Sequence, residues 1–302
     1  MASHARAQAS KEPGLVIAAY GRRYRVELDT GGEIDCMTRG KRSDVACGDH
    51  VRVARSGDGV GVIESIDERR TLFYRSDARR QKLIAANVTQ IVVVVASRPA
   101  FSDDLINRCL VGAEQAQIAA IIALNKSDLP EVTDASAGLD LYRALGYAVV
   151  LLSAKHDLTP LRSHLANHTS VLVGQSGMGQ STIINGLVPH AAARVAEIST
   201  ALGTGRHTTT HAELYPLDSE SAIIDSPGLQ EFGLHHLTLD DAAHAFVEFR
   251  QWLGQCRFRN CRHMSEPDCA VLSAATRGDI SQRRIDAYRR LAEELSRKRD
   301  WQ

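Results

Sequence analysis

The sequence predicts a multidomain protein: a small N-terminal β-barrel, a central α/β domain and a C-terminal helical module built round a cysteine/histidine cluster. Three observations carry this. Short β-rich segments fill residues 14–70, apolar runs then alternate with helical stretches, and three of the six cysteines gather near the C-terminus. A chain of 302 residues suits two or three domains. With 44% hydrophobic and 24% charged residues, wholesale disorder and collagen are excluded. No apolar run, the strand-sized Ile91–Ala96 included, approaches the roughly 20 residues needed to cross a bilayer. The N-terminus has no apolar core of a secretory signal, so a cytoplasmic chain with no membrane partner is expected.

GLVIAAYG, RYRVELDT, EIDCMTRG, HVRVARSG and GVGVIESI carry β-branched residues in partial alternation. Gly31-Gly32 and Gly57-Asp58-Gly59 sit where hairpin turns would fall. Five strands in this length suit a closed barrel of the OB type, with any other small β-barrel as the alternative. The stretch Glu68–Lys82 is dense in arginine and reads as a charged linker able to meet phosphate. Overall, 36 basic residues balance 36 acidic ones, which excludes a uniformly basic nucleic-acid coat but not local patches. Aromatics are only 5%, so base-stacking surfaces should not dominate. Cys36, Cys47 and Cys109 are scattered and read as packing residues.

QIVVVVA, AAIIAL, AVVLL, SVLVG, AELYPL and SAIID are strand-sized, and the continuous ones suit burial on both faces. Helical spacing follows Ser102-Asp103-Asp104, so the central strands should be parallel. Beyond Gly233 the chain turns helical: 244–253 and 280–295 are the expected helices.

Gly174-Gln175-Ser176-Gly177-Met178-Gly179-Gln180-Ser181, followed by Thr182, lies between a strand and a helix. The spacing is that of a phosphate loop, whose backbone N–H groups and helix N-terminus hold phosphate. Ser181 would supply a hydroxyl to Mg²⁺. Gln180 stands where such loops carry lysine, so it can donate hydrogen bonds but brings no charge. Alone, the loop could be a glycine-rich turn.

It does not stand alone. In Asn125-Lys126-Ser127-Asp128, the Asp128 carboxylate would accept guanine's N1–H and amino group, which adenine cannot match. Asn125 would brace the loop, and the Lys126 stem would cover the base. Ser153-Ala154-Lys155 would bring a backbone N–H to guanine O6. Asp225-Ser226-Pro227-Gly228 would place Asp225 near Mg²⁺. All these segments follow predicted strands, the ligand edge of such a sheet. Their order is base loop, phosphate loop, then Asp225-to-Gly228. The usual order begins with the phosphate loop, so the predicted domain is a circularly permuted α/β P-loop GTPase domain.

The permuted order, the barrel, GRHTTT at Gly205–Thr210, DSPG, EFGL at Glu231–Leu234 and the late Cys/His module together resemble the RsgA (YjeQ) family of small ribosomal subunit biogenesis GTPases. The resemblance covers nearly the whole chain. It implies GTP hydrolysis stimulated by the 30S subunit late in its maturation, with 16S rRNA as partner. It divides the chain into an RNA-binding OB-like domain (1–75), a G domain (76–234) and a zinc-binding helical domain (235–302), acting as a monomer. The family has lysine at position 180, so catalysis here rests on a changed residue. Leu229 cannot orient water, and the resemblance offers His207 for that task. Thr209 is the expected switch hydroxyl on Mg²⁺, with Thr208 and Thr210 as alternatives. Arg206 either pairs with phosphate or is solvated.

Cys256, Cys261, His263 and Cys269 offer three thiolates and an imidazole within one short stretch. That donor set suits a closed tetrahedral Zn²⁺ site of structural role, one ion per chain. Arg257, Arg259 and Arg262 between the ligands face rRNA or solvent. The arginine-rich tail from Arg277 reads mainly as a solvated helix face, with a ribosome contact implied by the resemblance. The rival to a hydrolase is a guanine-nucleotide-sensing ribosome or RNA ligand with negligible turnover.

Overall fold

The computed structural model describes residues 11–40, 44–56, 59–76, 81–189, 212–226 and 232–297. Strands β1 (Glu12–Tyr20), β2 (Arg23–Leu28), β3 (Glu33–Thr38), β4 (His50–Arg55) and β5 (Gly61–Ile66) run in the order β1-β2-β3-β5-β4. Pairing of β4 with β1 closes the barrel. Val16, Val26, Val51, Val53 and Ile63 fill its interior. Gly31 and Gly32 take positive φ at the β2–β3 turn, as their position required.

Residues 68–82 are more than a linker. They contribute β6 (Leu72–Ser76) and the start of β7 (Gln81–Ala86), a hairpin between barrel and α/β domain. The arginines mask its apolar face: Phe73 and Ile84 are buried in the central core. Arg69 is not held out for phosphate either. It forks onto the fully buried Asp49, with Nε–Oδ1 and Nη2–Oδ2 both 2.7 Å.

Six strands form the central sheet: β8 (Gln90–Ala96), β9 (Ala119–Asn125), β10 (Ala148–Leu151), β11 (Thr169–Gly174), β12 (Ala212–Pro216) and β13 (Ala222–Asp225). Their order is β10-β9-β8-β11-β13-β12. All neighbours are parallel except the β12–β13 pair. Every residue of β8 is buried, which explains its unbroken apolar run. Helices α1 (Asp103–Gln115), α2 (Val132–Gly138), α3 (Asp140–Ala144), α4 (Thr159–Leu165) and α5 (Gln180–Leu187) alternate with these strands. A bulge between Val16 and Ala18 bends β1, whose far end pairs with β12 through Ala18–Glu213 and Ala19–Ala212. Barrel and central sheet therefore share one hydrogen-bonded ladder of eleven strands.

The C-terminal module holds α6 (Leu239–Ala245), α7 (Ala270–Arg277) and α8 (Gln282–Arg297). The helix expected over 244–253 is instead the end of α6 and a 3-10 turn at Val247–Phe249. Phe246 leaves the helical region so that Phe246 and Phe249 can both pack on Tyr288, with centroids 5.4 and 5.1 Å away. The module docks on α1. Arg108 reaches Glu294 at 2.6 Å, and Arg283 reaches Asp103 at 2.7 Å. Arg284, only 1% exposed, pairs with Glu248 at 2.5 Å, bonds Asn107 and lies 4.3 Å over the Phe246 ring. Of the described arginines in the tail, Arg284 is buried and Arg289 half-buried, while Arg277, Arg283, Arg290 and Arg297 remain on an exposed face.

Candidate functional site

The central sheet puts the predicted segments at one edge. Asn125 ends β9, Gly174 ends β11 and Asp225 ends β13, while Ser153 lies just past β10. Strand β11 sits where the chain path reverses, with β8 on one side and β13 on the other. That is the switch point at which open α/β sheets bind ligands.

The phosphate loop is shaped by its glycines. Gly177 and Gly179 have φ of 85° and 95°. A Cβ on Gly179 would lie 2.3 Å from Asn125 Nδ2. The close approach is used: Asn125 Nδ2 donates to Met178 O at 2.9 Å, and Asn125 Oδ1 accepts from Ala154 N–H at 2.9 Å. One buried amide thereby ties the base loop to the phosphate loop and to the Ser153–Lys155 loop. Lys126 Nζ donates to Gly177 O at 2.8 Å and to Arg98 O at 2.6 Å, a second tie between the 125–128 loop and the 174–181 loop. Ser97 Oγ holds the Lys126 carbonyl at 2.9 Å. Ser127 N–H donates to Leu152 O, fixing the loop to the next strand.

Ser153 Oγ donates to Asp128 Oδ1 at 2.5 Å. This bond, foremost, holds the exposed Asp128 carboxyl below its ordinary pKa. Asp128 therefore stays an acceptor, the role guanine recognition needs. A cavity of about 260 Å³ opens here, lined by Asn125, Lys126, Asp128, Ala154, Gly179 and Thr182 among others.

Gln180 opens α5. Its Nε2 is buried and has no hydrogen-bond partner among the described residues. A donor orphaned at the base of a phosphate loop fits an anion seated there, since an unmade buried bond is costly. Ser181 and Thr182 are exposed on the first turn of α5. Burial, with Glu213 on the neighbouring strand adding to it, pushes the Asp225 carboxyl up to about 6. A divalent cation would relieve that stress by favouring the ionised form, so these residues fit Mg²⁺. His207, Thr209, Arg206 and Gly228, also expected at the site, lie outside the described residues.

The second predicted cluster is assembled as well. The ligand atoms of Cys256, Cys261, His263 and Cys269 all lie within 4.8 Å of one another. Cys256 Sγ is 3.8 Å from Cys269 Sγ, and His263 Nδ1 is 3.5 and 3.3 Å from those two sulfurs. A tetrahedral ion with bonds of about 2.3 Å to sulfur has edges of roughly 3.8 Å, so the group fits such an ion. Burial lowers the His263 pKa and keeps the ring neutral, as a ligand must be. The supports were not visible in the sequence. Glu266 accepts backbone N–H bonds from Arg262, Met264 and Ser265. Although burial opposes it, these bonds hold its pKa at about 2. Tyr288 on α8 donates to Arg262 O at 2.8 Å. Only an alignment of carbonyl and carboxylate in space reveals these roles; no spacing rule marks them.

A family model described as RsgA GTPase matches residues 66–235, more than half the chain. The chain belongs to the RsgA GTPase family. A protein of Nitrosospira multiformis named small ribosomal subunit biogenesis GTPase RsgA is 50% identical over 287 residues, covering 95% of this chain and 92% of the relative. One of Nitrosomonas europaea bearing the same name is 49% identical over 292 residues, covering 95% and 93%. The crystal structure of YjeQ from Thermotoga maritima superposes with a TM-score of 0.72 at 28% identity, covering 95% of this chain and 99% of that one. YloQ, described as a circularly permuted GTPase, gives 0.68 at 29% identity, covering 98% and 99%. The RsgA fold, its permuted order and its N-terminal five-stranded barrel are therefore those of this chain.

Proposed function

We propose that this chain is a GTP-hydrolysing factor for late maturation of the 30S subunit, slowed by the glutamine in its phosphate loop. The observation that carries the reading is the Asn125 amide, which joins a guanine-selecting loop to a phosphate loop through two bonds of 2.9 Å. Its relatives' name, small ribosomal subunit biogenesis GTPase, supports the substrate and the particle.

In this reading Asp128 selects guanine, the Lys126 stem covers the base, and the Ala154 backbone faces O6. The residues Gly174–Gly179 wrap the phosphates with backbone N–H groups, and Gln180 adds a neutral donor. Ser181, Asp225 and Thr209 hold Mg²⁺, which when bound neutralises phosphate charge. His207 orients the attacking water, because Leu229 cannot. Charge builds on phosphate oxygens in the transition state, so a missing cation costs rate more than it costs GDP binding. The Cys₃His group holds one structural Zn²⁺, with no open position for substrate. The barrel (1–75) and the zinc module (235–302) flank the G domain (76–234) and meet 16S rRNA, and the protein works as a cytoplasmic monomer. No helix among the described residues is long and apolar enough to cross a membrane.

Steady-state phosphate release from GTP, measured with and without purified 30S subunits, tests the reading. Stimulation by 30S particles and none by 50S particles is expected. No release above background on either particle, with GTP still bound, would favour a nucleotide-sensing ligand instead.

A further inference from the structure

Phe258 is the one exposed aromatic residue among those described, with 42% of its surface accessible. A single exposed hydrophobic residue is ordinary by itself. Its setting is not. The residue lies between Cys256 and Cys261, two of the four clustered donors, so a metal held there would fix both ends of its loop. Cys261 N–H also donates to the Phe258 carbonyl. Exposed arginines flank it at 257 and 259. The Arg257 guanidinium lies 5.5 Å from the ring centroid and is bound to Asp268 at 2.9 Å. Arg259 and Arg262, by contrast, make no side-chain ion pair among the described residues, although both are exposed. Glu266 accepts from the backbone N–H groups of Arg262, Met264 and Ser265 and makes no side-chain ion pair with either arginine. The tip of this knuckle is therefore an exposed aromatic face beside two exposed arginines that make no side-chain ion pair among the described residues.

We propose that Phe258 is a stacking platform for an unpaired RNA base, with Arg259 and Arg262 taking the adjoining phosphates. The proposal rests on the reading of this module as RNA-directed and gives the contact its chemistry. Stacking on an aromatic face requires an unstacked base, so the partner is a single-stranded or looped segment and not a helix. Fixing the ring beforehand lowers the ordering cost of binding. Charge alone would bind duplex and single strand alike; the ring makes the difference.

The test uses the full chain, zinc-loaded, with a short single-stranded RNA carrying a fluorescent aminopurine and a blunt duplex of the same strand. The chain is expected to prefer the single strand and to quench the aminopurine. Phe258→Ala should weaken single-strand binding by about 5- to 100-fold, the range for one lost stack, and abolish the quenching. Its duplex affinity should hold. Phe258→Trp should keep both binding and quenching, and zinc content should match in all three proteins. Equal single-strand affinity of the alanine variant, or no quenching by the parent chain, overturns the proposal. GTP hydrolysis on 30S subunits is measured alongside. Its loss in the parent chain would count against the GTPase reading and leave the stacking result standing.

Discussion

In the proposed reading, base choice turns on Asp128. It is exposed, accepts from Ser153 at 2.5 Å and stays ionised. Asp128→Asn exchanges an acceptor for a donor, so guanine should lose about tenfold or more in affinity and xanthine should gain. The scale follows from roughly 1.5–3 kcal/mol for a hydrogen bond to a charged group. Competition of GDP, XDP and ADP against a fluorescent guanine nucleotide reads this directly, and unchanged preference contradicts it. The sequence disclosed this residue because the loop motif is local: four consecutive positions hold the chemistry. Ser97 and Glu213 act at the same site from distant strands, and no spacing in the sequence marks them. Gln180 is intermediate. Its lost charge was legible, but the orphaned Nε2 that now sits in the loop required the fold.

At the scale of elements, the strands of the central sheet announced themselves because burial on both faces leaves unbroken apolar runs. The β6–β7 hairpin did not, because its charged residues interrupt the buried ones, Phe73 on β6 and Ile84–Ala86 on β7, that anchor it. Phe73 stacks on Phe232 at 5.2 Å, and Ser76 N–H donates to Gly233 O, which seats the hairpin against the segment following 227–231. Likewise the helix expected over 244–253 proved to lie at Leu239–Ala245, because the chain leaves the helical region at Phe246. The Cys/His module is an element with its own source of stability. Its ligands come from loops, with Phe249 of the 3-10 turn and Tyr288 of α8 making ring contacts with His263. Chelation of the metal should therefore loosen this module before the G domain. Metal analysis should find one zinc per chain, and amide exchange after chelation should rise first in residues 255–269. Uniform exchange, or undamaged protein without zinc, contradicts this.

Across the whole molecule, two joints carry the architecture. The β1–β12 ladder makes barrel and central sheet continuous, and β12 also pairs with β13, the strand that ends at Asp225. Arg284 is the other joint, linking α8 to Glu248 and to Asn107 on α1. Arg284→Ala leaves Glu248 buried and unpaired, so it should cost about 3–5 kcal/mol. Denaturant unfolding of the zinc-loaded protein would show it, while Arg283→Ala, at an exposed pair, should cost about 1 kcal/mol or less. Neither joint was legible in the sequence, since each joins residues far apart in the chain.

Both joints serve a G domain with Gln180 in its phosphate loop, and in the proposed reading this loop still binds guanine nucleotide but turns it over slowly. The deciding measurement is 30S-stimulated GTP hydrolysis by the present chain and by Gln180→Lys, with GDP affinity measured beside it. Similar GDP affinity and a rate about 10²–10³ higher in the lysine variant are expected, the scale of about 2.7–4 kcal/mol for one electrostatic donor in the transition state. Equal rates on the 30S subunit would contradict it, and would mean that another cation already occupies the lysine's place.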